Sequence, residues 1–246
     1  LFTVSDSNNC LLTDSVTITQ PAAITASFIT TDVDCYGDTT GAATVLFSGG
    51  VTDYLLSWQN FTYLLPNGVN IFTTPVGVPA GIYPFGVTDA NGCTYFDTIT
   101  IFQPAAITAS SIVTQVSCNG GNDGTATLTL SGGTGILSVN WGAANPNALS
   151  EGTHLFTVSD SNNCLLTDSV TIIQPAAITA SSIVTHVSCN GGNNGTATLT
   201  LSGGTGTLSV NWGAANPNAL SAGTHLFTIS DSNNCLLTDS VTIIQP

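Results

Sequence analysis

Hydrophobic and polar residues alternate along short stretches of this chain. In the segment 125–130, alanine and leucine at even positions alternate with threonine at odd positions. This two-residue period is typical of β-strands that bury one face. The stretch 107–116 departs from it because Ile112 and Val113 are adjacent, so we expect a first strand that bulges or kinks midway. The clean alternation recurs at 137–141, 154–158 and 169–172.

Clusters of glycine, asparagine, aspartate and proline separate the alternating stretches, as in CNGGNDG at 118–124 and GAANPNA at 142–148. These residues favour tight turns. The 3.6-residue apolar period of a helix is not found in the chain. We therefore predict an all-β fold in which about six or seven short strands per unit pack as two antiparallel sheets, in an immunoglobulin-like β-sandwich.

The alternating pattern is repeated along the chain. Segments 105–175 and 176–246 are each 71 residues long and differ at only five positions. Segment 22–104 is a diverged copy with an insertion, FTYLL-PNG-VNIFTT, that predicts an extra hairpin. Residues 1–21 match the C-terminal part of another copy, so we expect one truncated repeat, three complete repeats and a longer array around them. The short Gln-Pro-Ala linkers predict that neighbouring repeats form a stiff, extended rod.

The charge balance excludes several partners. The chain has no Lys or Arg and 14 Asp and Glu residues. Without cations it cannot neutralise phosphates, so we expect no nucleic-acid binding and no attraction to an anionic membrane. It also lacks a run of about 20 apolar residues, so we predict no membrane insertion. The few carboxylates lie in turns and no nucleophile has a suitably spaced base, so we predict neither an enzyme nor a bound cofactor.

Seven cysteines occupy two positions of the repeat. Their regular spacing, without zinc-type Cys-x-x-Cys pairs, predicts disulfides in an oxidising compartment and hence an extracellular protein. The early cysteines are Cys35, Cys118 and Cys189, and the late ones are Cys10, Cys93, Cys164 and Cys235.

Topology limits which cysteines can pair. In an alternating sandwich, the turn holding Cys118 lies where the chain leaves the unit, and the turn holding Cys164 lies where it enters, about 20 Å away. A disulfide requires Cα atoms within about 7 Å of each other. We therefore predict pairs across the junctions between units, namely Cys35–Cys164 and Cys118–Cys235. The alternative is pairing within each unit, as Cys35–Cys93, Cys118–Cys164 and Cys189–Cys235.

Several spaced elements of the chain resemble the SprB repeat of Bacteroidetes. They are the early cysteine with its Gly/Asn turn, the strand tryptophan, the strand GTHLFTV, the turn DSNNC and the terminal proline. The resemblance implies a very large bacterial cell-surface adhesin, exported by the type IX secretion system and associated with gliding motility. The aromatic residue that follows the glycine of the family's strand is Tyr83 in the diverged unit, but His154 and His225 stand there in the other two.

Two functions suit such an array. One is a structural stalk that carries force, and the other is a multivalent array whose repeats each bind extracellular polysaccharide or another surface weakly. An accessory module of a secreted enzyme is a further alternative. Phe61, Tyr63 and Phe72 in the insertion are candidates for an aromatic glycan-binding patch, although packing on their own sandwich is the favoured interpretation. The other units lack an aromatic cluster of this kind, which favours the stalk.

The aromatic and histidine residues of the strands are interpreted as core. Trp58, Trp141 and Trp212 share one repeat position and are predicted to be buried. His154 and His225 have the parity of inward residues, so we interpret them as buried or half-buried rather than as ligands.

Acidic turns are weak candidates for calcium binding through oxygen ligands. Aspartate is also an ordinary turn residue, and Asn194 replaces Asp123 in the last repeat, which weakens the calcium hypothesis. The carboxylates concerned are Asp89, Asp123, Asp160 and Asp231.

The last strand of each unit carries an Asp followed by Ser or Thr and an aliphatic residue. This tripeptide resembles the O-glycosylation acceptor pattern of Bacteroidetes, and strand parity turns the hydroxyl residue outward. The predicted acceptors are Ser15, Thr98, Ser169 and Ser240.

Overall fold

The chain folds into β-strands alone in the part that the structure describes. The computed structural model describes residues 1–66, 68–75 and 77–246. All secondary-structure elements in these ranges are β-strands. Two compact units are present, Leu1–Ala106 and Ile107–Pro246. The predicted all-β class is confirmed. Among the described residues, no helix is long and apolar enough to cross a bilayer.

The first unit opens with an exposed hairpin of β1 (Phe2–Ser5) and β2 (Leu11–Asp14). The strands are antiparallel, with Phe2 opposite Asp14 and Ser5 opposite Leu11. Every residue of both strands is exposed to solvent. The hairpin therefore has no buried face.

The diverged repeat that follows is a seven-stranded sandwich. One sheet has the order β3-β4-β7 and the other β6-β5-β8-β9. Val45, Leu56 and Ile101 meet between the sheets and are almost completely buried. The strands are β3 (Thr25–Thr31), β4 (Ala42–Ser48), β5 (Tyr54–Trp58), β6 (Phe61–Leu65), β7 (Ile71–Thr73), β8 (Gly81–Thr88) and β9 (Thr94–Ile101).

The insertion does not form a hairpin of its own, contrary to the prediction from the sequence. β6 pairs with β5, whereas β7 pairs with β4 in the opposite sheet. Each inserted strand thereby buries a side chain, Leu65 from β6 and Phe72 from β7, in the shared core. A projecting hairpin would leave these side chains in water, so burial favours the divided arrangement. Asn67 of the predicted turn lies outside the described residues.

The two short repeats of the second unit share one five-stranded fold. Each packs a two-stranded sheet, such as β10-β11, against a three-stranded sheet, such as β12-β13-β14. The first repeat has β10 (Thr108–Thr114), β11 (Thr125–Ser131), β12 (Ser138–Asn140), β13 (Gly152–Ser159) and β14 (Leu165–Ile172). The second has β15 (Thr179–Thr185), β16 (Thr196–Ser202), β17 (Ser209–Asn211), β18 (Gly223–Ser230) and β19 (Leu236–Ile243).

Five strands are fewer than the six or seven that the sequence predicted. The segment 142–148 forms turns, in which the Ala144 N–H donates to the Trp141 carbonyl and the Ala148 N–H to Asn145. This segment was predicted as a turn, and the isolated bridge between Gly124 and Leu149 that follows it lies outside the five strands.

The first strand of the short repeat contains no bulge. The bulge or kink that the adjacent Ile112 and Val113 predicted is therefore wrong. Thr108 to Thr114 pair one-to-one with β11. Ile112 points outward and is 76 % exposed, while Val113 packs on the core. The two apolar residues are adjacent because Ile112 is an exposed isoleucine, and single exposed apolar residues are common at protein surfaces. The backbone of the strand is regular.

Candidate functional site, a disulfide-linked junction between repeats

A buried aspartate organises the turn that carries each late cysteine. In the last repeat, Asp231 is only 6 % exposed. Its Oδ1 accepts the N–H groups of Asn233 and Cys235, each at 2.9 Å, and its Oδ2 accepts the Thr205 N–H at 2.8 Å. One carboxylate thus ties the turn between β18 and β19 to the turn after β16. This fixes the position of Cys235.

The same arrangement recurs in the other complete repeats. Asp160 accepts the N–H groups of Thr134, Asn162 and Cys164. Asp89 accepts those of Val51, Asn91 and Cys93.

Hydrogen bonding keeps these buried carboxylates ionised. Burial raises the pKa of Asp160 and Asp231, but their backbone N–H bonds together lower it by more, so the pKa lies below the ordinary 3.8. The pKa of Asp89 is also lowered, and the hydrogen bond from the Val51 N–H is the largest cause.

The weak calcium candidates have structural partners. Asp89, Asp160 and Asp231 each accept three backbone N–H groups, which calcium would have to displace. Asp123 instead accepts the N–H of Ser117, and Asn194 does the same for Ser188. The replacement of Asp by Asn is therefore explained by a shared role in the turn. Within the described residues, no three His, Cys, Asp or Glu side chains gather in a group that suits a metal ion.

The early cysteine of one repeat is joined to the late cysteine of the next. Cys118 and Cys235 form a disulfide with an S–S distance of 2.03 Å and a Cα–Cα distance of 5.5 Å, across a sequence separation of 117. This is the pair that the argument from opposite ends of the sandwich predicted. The turn of Cys118 is closed by the Gly121 N–H, which donates to the Cys118 carbonyl at 3.0 Å.

Polar contacts reinforce the disulfide. The Asn233 side-chain amide donates to the Ser117 carbonyl at 3.0 Å. The Sγ of Cys235 lies 3.3 Å from the same oxygen, a contact without a hydrogen bond because a disulfide sulfur carries no proton. Cys235 is also largely buried, at 9 % exposure. The Cys235 half of the bond is therefore the less accessible to reductants in solution, since Cys118 is only half-buried.

The state of the other cysteines contradicts the alternative of pairing within each unit. Cys118 is bonded to Cys235, and therefore not to Cys164. Cys93 and Cys189 are free, exposed thiols, as is Cys10. Cys35 and Cys164 are both disulfide-bonded. The bond Cys35–Cys164 stays a prediction.

The glutamine before each terminal proline is a junction residue that the sequence reasoning missed. Gln174 accepts the N–H of Gly120 through Oε1, and Asn119 donates to the Pro175 carbonyl at 3.0 Å. Equivalent bonds join Gln103 to Gly37 at 2.8 Å and Gln245 to Gly191 at 3.0 Å. The linker is thus fastened to the turn of the early cysteine. The glutamine recurs before the proline that ends every repeat, and this recurrence is the sequence signal that could have identified it.

Two clefts border the junction and offer no catalytic group. Their volumes are about 350 and 450 Å³, and Pro175 lines both. Asp231 is the only carboxylate among their lining residues, and its oxygens already accept N–H groups. The clefts thus lack a free acid or base.

The tryptophans differ in burial between repeats. Trp58 is 3 % exposed and stacks on Tyr83 with ring centroids 5.4 Å apart. Trp141 and Trp212 are only half-buried, although each packs on a core phenylalanine. The inserted β7 explains the difference, because its Phe72 covers Trp58 and has no counterpart in the short repeats.

The histidines at the aromatic position have a structural partner. His154 and His225 are half-buried, and each donates through Nε2 to a carbonyl four residues earlier, at 2.8 Å. Tyr83 makes the same bond through its hydroxyl to Pro79, at 2.7 Å. A histidine can therefore replace the tyrosine and keep the hydrogen bond. His186, which lies after a strand, is exposed and accepts the N–H of Ile244.

The predicted glycosylation acceptors lie at the surface, each beside the aspartate of its tripeptide. In each case the carboxylate accepts the N–H of the next residue at 2.7 Å. The exposed acceptors are Ser15, Thr98, Ser169 and Ser240.

The fold and the junction define a class of protein, a tandem array of β-sandwich repeats in which a disulfide joins the last two repeats. The SprB repeat family model matches residues 27–70, 110–138 and 181–209, one segment in each complete repeat. This is a structural repeat of cell-surface proteins and not an enzyme family. The disulfides fit an extracellular location. No curated protein matches the chain.

Proposed function

We propose that this chain is a stalk segment of a large, secreted bacterial cell-surface adhesin that serves gliding motility or surface attachment, without a reaction or cofactor of its own. The observation that carries the proposal is the Cys118–Cys235 bond, which ties two sandwiches together at their junction. A covalent link at this point prevents neighbouring repeats from separating under tension.

The chemistry around the junction supports a stalk. The buried aspartates hold turns, and Gln174, which recurs at the same place in each complete repeat, fastens the linker to the turn of Cys118 through Gly120. These polar groups are engaged within the protein and are not arranged around a reacting atom. They make the junction rigid, which is the property that a stalk requires.

Removal of one repeat from the gene distinguishes a stalk from a binding array. An in-frame deletion of 105–175 joins 22–104 to 176–246, so Cys35 keeps a late cysteine, Cys235, in the next repeat. Antibodies against the array should still label intact cells, and attachment should be unchanged. Attachment that falls with repeat number would support multivalent binding instead. Unlabelled intact cells would contradict the surface location.

The export route has its own test. Antibody should detect the protein on the surface of wild-type cells and inside cells that lack the type IX secretion machinery. Equal surface labelling of both strains would reject this route while leaving the stalk function open.

The exposed Asp-Ser/Thr tripeptides support a second part of the proposal, that the array is O-glycosylated. Mass spectrometry of peptides from the native host that contain Ser169 or Ser240 should show added sugar mass. Replacement of Ser169 by Ala should remove it from that peptide alone. Unmodified masses at all four sites would reject the glycosylation.

An aromatic cleft favours a second candidate function for the diverged repeat, the binding of a neutral polysaccharide. The cleft measures about 210 Å³, and its lining includes Trp58, Gln59, Phe61, Tyr63 and Pro75. Phe61 is 61 % exposed, and an exposed ring face can stack on a sugar. An acidic chain without Lys or Arg disfavours anionic polysaccharides.

Calorimetric titration with dextran tests this candidate. Phe61→Ala should abolish any heat of binding, whereas Phe102→Ala, which removes another exposed phenylalanine outside the cleft, should not change it. Absence of binding by the unmodified chain to dextran and to other neutral glucans would reject the candidate.

A further inference from the structure

One edge of the two-stranded sheet is open in each short repeat. In the second unit, all of whose residues the structure describes, β11 pairs with β10 alone and β16 with β15 alone. Ala126 directs its N–H away from β10, to the carbonyl of Pro146 at 2.8 Å. Because backbone groups alternate in direction along a strand, the N–H groups of Leu128 and Leu130 point to the same side. β11 therefore has a free pairing edge beyond Ala126.

The diverged repeat shows what fits such an edge. There the equivalent strand, β4, pairs with the inserted β7 in antiparallel orientation, and the Thr74 N–H donates to the Ala43 carbonyl at 2.8 Å. Phe72 at the centre of β7 lies opposite Val45 and packs on Trp58, with ring centroids 6.2 Å apart. The segment that fills this edge is thus an extended strand whose aromatic side chain enters the core.

The core of the short repeats is uncovered on the side where β6 and β7 have no counterpart. Val139 is 38 % exposed, whereas Leu56 at the same repeat position is fully buried, at 0 %. Trp141 and Leu128 are half-buried, whereas their counterparts in the diverged repeat are 3 % and 0 % exposed. The last repeat repeats this exposure at Val210, at 37 %. An open backbone edge and an uncovered apolar surface therefore lie together.

β11 carries none of the features that usually protect an open edge from pairing. Its sequence, TATLTLS, has no charged residue and no proline, and it pairs with β10 without a bulge. Edge strands that are not meant to pair commonly carry lysine, proline or a bulge. The identical sequence of β16 has the same open character.

We propose that the open edges of β11 and β16 each bind an extended peptide strand of a protein partner, with an aromatic residue at the position that Phe72 occupies in the diverged repeat. Backbone hydrogen bonds to Leu128 and Leu130 hold the strand, and its aromatic ring covers Trp141. The formal net charge of −14 disfavours an acidic peptide. The proposal rests on strand pairing, so its failure would leave the stalk function open.

A synthetic peptide with the sequence of residues 69–74, VNIFTT, tests the proposal on the full chain with its disulfides intact. The indole N–H signals of a ¹⁵N-labelled chain report the surroundings of its three tryptophans. We expect the signals of Trp141 and Trp212 to shift with the peptide and that of Trp58, which Phe72 already covers, to stay unchanged. Unshifted signals of Trp141 and Trp212, or an equal shift of Trp58, would overturn the proposal.

Modified peptides separate strand pairing from unspecific apolar contact. Phe72→Ala in the peptide should weaken binding by about tenfold or more, because the covering ring is lost. The Thr74 N–H points to β4, so the Phe72 N–H points the same way and the Thr73 N–H points away. N-methylation at the Phe72 position should therefore weaken binding, whereas N-methylation at Thr73 is the matched control that preserves it. Equal binding of all these peptides would contradict β-strand addition.

A graft within the chain tests the site from the protein's side. Replacing residues 142–151 with residues 59–80 gives the first short repeat the inserted segment of the diverged one. The Trp141 signal should then no longer respond to the peptide, while Trp212 still shifts, and a persistent response of Trp141 in the folded graft would contradict the site. The modified peptides decide the question if the graft does not fold.

Pairing with a second copy of the chain is the competing outcome. Signals of Trp141 and Trp212 that shift with protein concentration in the absence of peptide would show that the edges pair with each other. The proposed peptide partner would then be wrong.

Discussion

At the scale of single residues, the surroundings of an aspartate decide what it does. The sequence marked Asp160 and Asp123 alike as turn carboxylates. In the structure Asp160 is buried and accepts three backbone N–H groups, whereas Asp123 binds the neighbouring Ser117. The first role needs a carboxylate with two acceptor oxygens, and the second is also met by Asn194. Tolerance of substitution follows from this difference.

Asp160→Asn should destabilise the protein at neutral pH, because the amide turns an NH₂ group toward a backbone N–H that loses its acceptor. The folded pKa of Asp160 lies below 3.8. Its contribution to stability is therefore complete above about pH 4 and is lost as the pH falls through the folded pKa. Chemical denaturation at pH 7 and pH 3 should show a deficit that shrinks in acid.

The control for this experiment is Asp168→Asn, since Asp168 is exposed and its carboxylate accepts the N–H of the adjacent Ser169. We expect little change at either pH. Equal stability of Asp160→Asn and the unmodified chain at pH 7 would contradict the assigned role.

At the scale of elements, alternation correctly predicted which face of a strand is buried. On β13, Phe156 and Val158 face the core, while Leu155 is 65 % exposed. The pattern could not predict which strand an element joins. The inserted β6 and β7 illustrate this, because their alternation fits a shared hairpin as well as two separate sheets, and only burial of Leu65 and Phe72 selects the latter.

Phe156→Ala should cost about 3–5 kcal/mol of unfolding free energy in a chain without the Cys118–Cys235 bond, because it empties a buried site beside Trp141. Leu155→Ala on the same strand should cost about 0.5 kcal/mol or less, since its side chain is mostly in water. Guanidinium unfolding of both variants gives the comparison. Similar losses for the two would show that the burial pattern of β13 is wrong.

At the scale of the whole molecule, the repeat makes one junction informative about others. Cys118 and Cys235 have the same relation in the repeat as Cys35 and Cys164, an early cysteine in one unit and a late cysteine in the next. We therefore expect the same bond at each junction. The linker glutamines recur with the same period and bind the same glycine of the turn.

Non-reducing peptide mapping should recover Cys35 linked to Cys164 and Cys118 linked to Cys235. Trypsin is unsuitable because the chain has no Lys or Arg, and the unfolded, reduced chain should resist it completely. Chymotrypsin followed by an Asp-specific protease provides peptides of useful length. A linkage of Cys164 to any cysteine other than Cys35 would contradict the expected pairing.

The extended rod predicted by the short linkers has a direct measurement. Three sandwiches and a partial repeat in series should have a maximum dimension above about 100 Å, given strands of about 20 Å plus their turns. Small-angle X-ray scattering of the oxidised chain reports this dimension. A compact particle with the dimensions of a single globule would reject the rod.

The sequence by itself determined the features that depend on neighbouring residues and on period. These features are the all-β class, the turns, the inward faces of the strands and the expected repeat boundaries. They also include the argument that Cys118 pairs with a cysteine of another unit. They follow from local geometry, because a side chain's face in a strand depends only on its parity. Resemblance to the SprB repeat added the cell-surface context.

Only the tertiary structure decided which distant groups meet. The carboxylate of Asp231 binds the N–H of Thr205, and Gln174 binds that of Gly120, although neither pair is close in sequence. The structure also divided β6 and β7 between two sheets. Such contacts depend on how turns from separate hairpins are brought together when both faces of the sandwich are buried, and a pattern read along one strand carries no information about that arrangement.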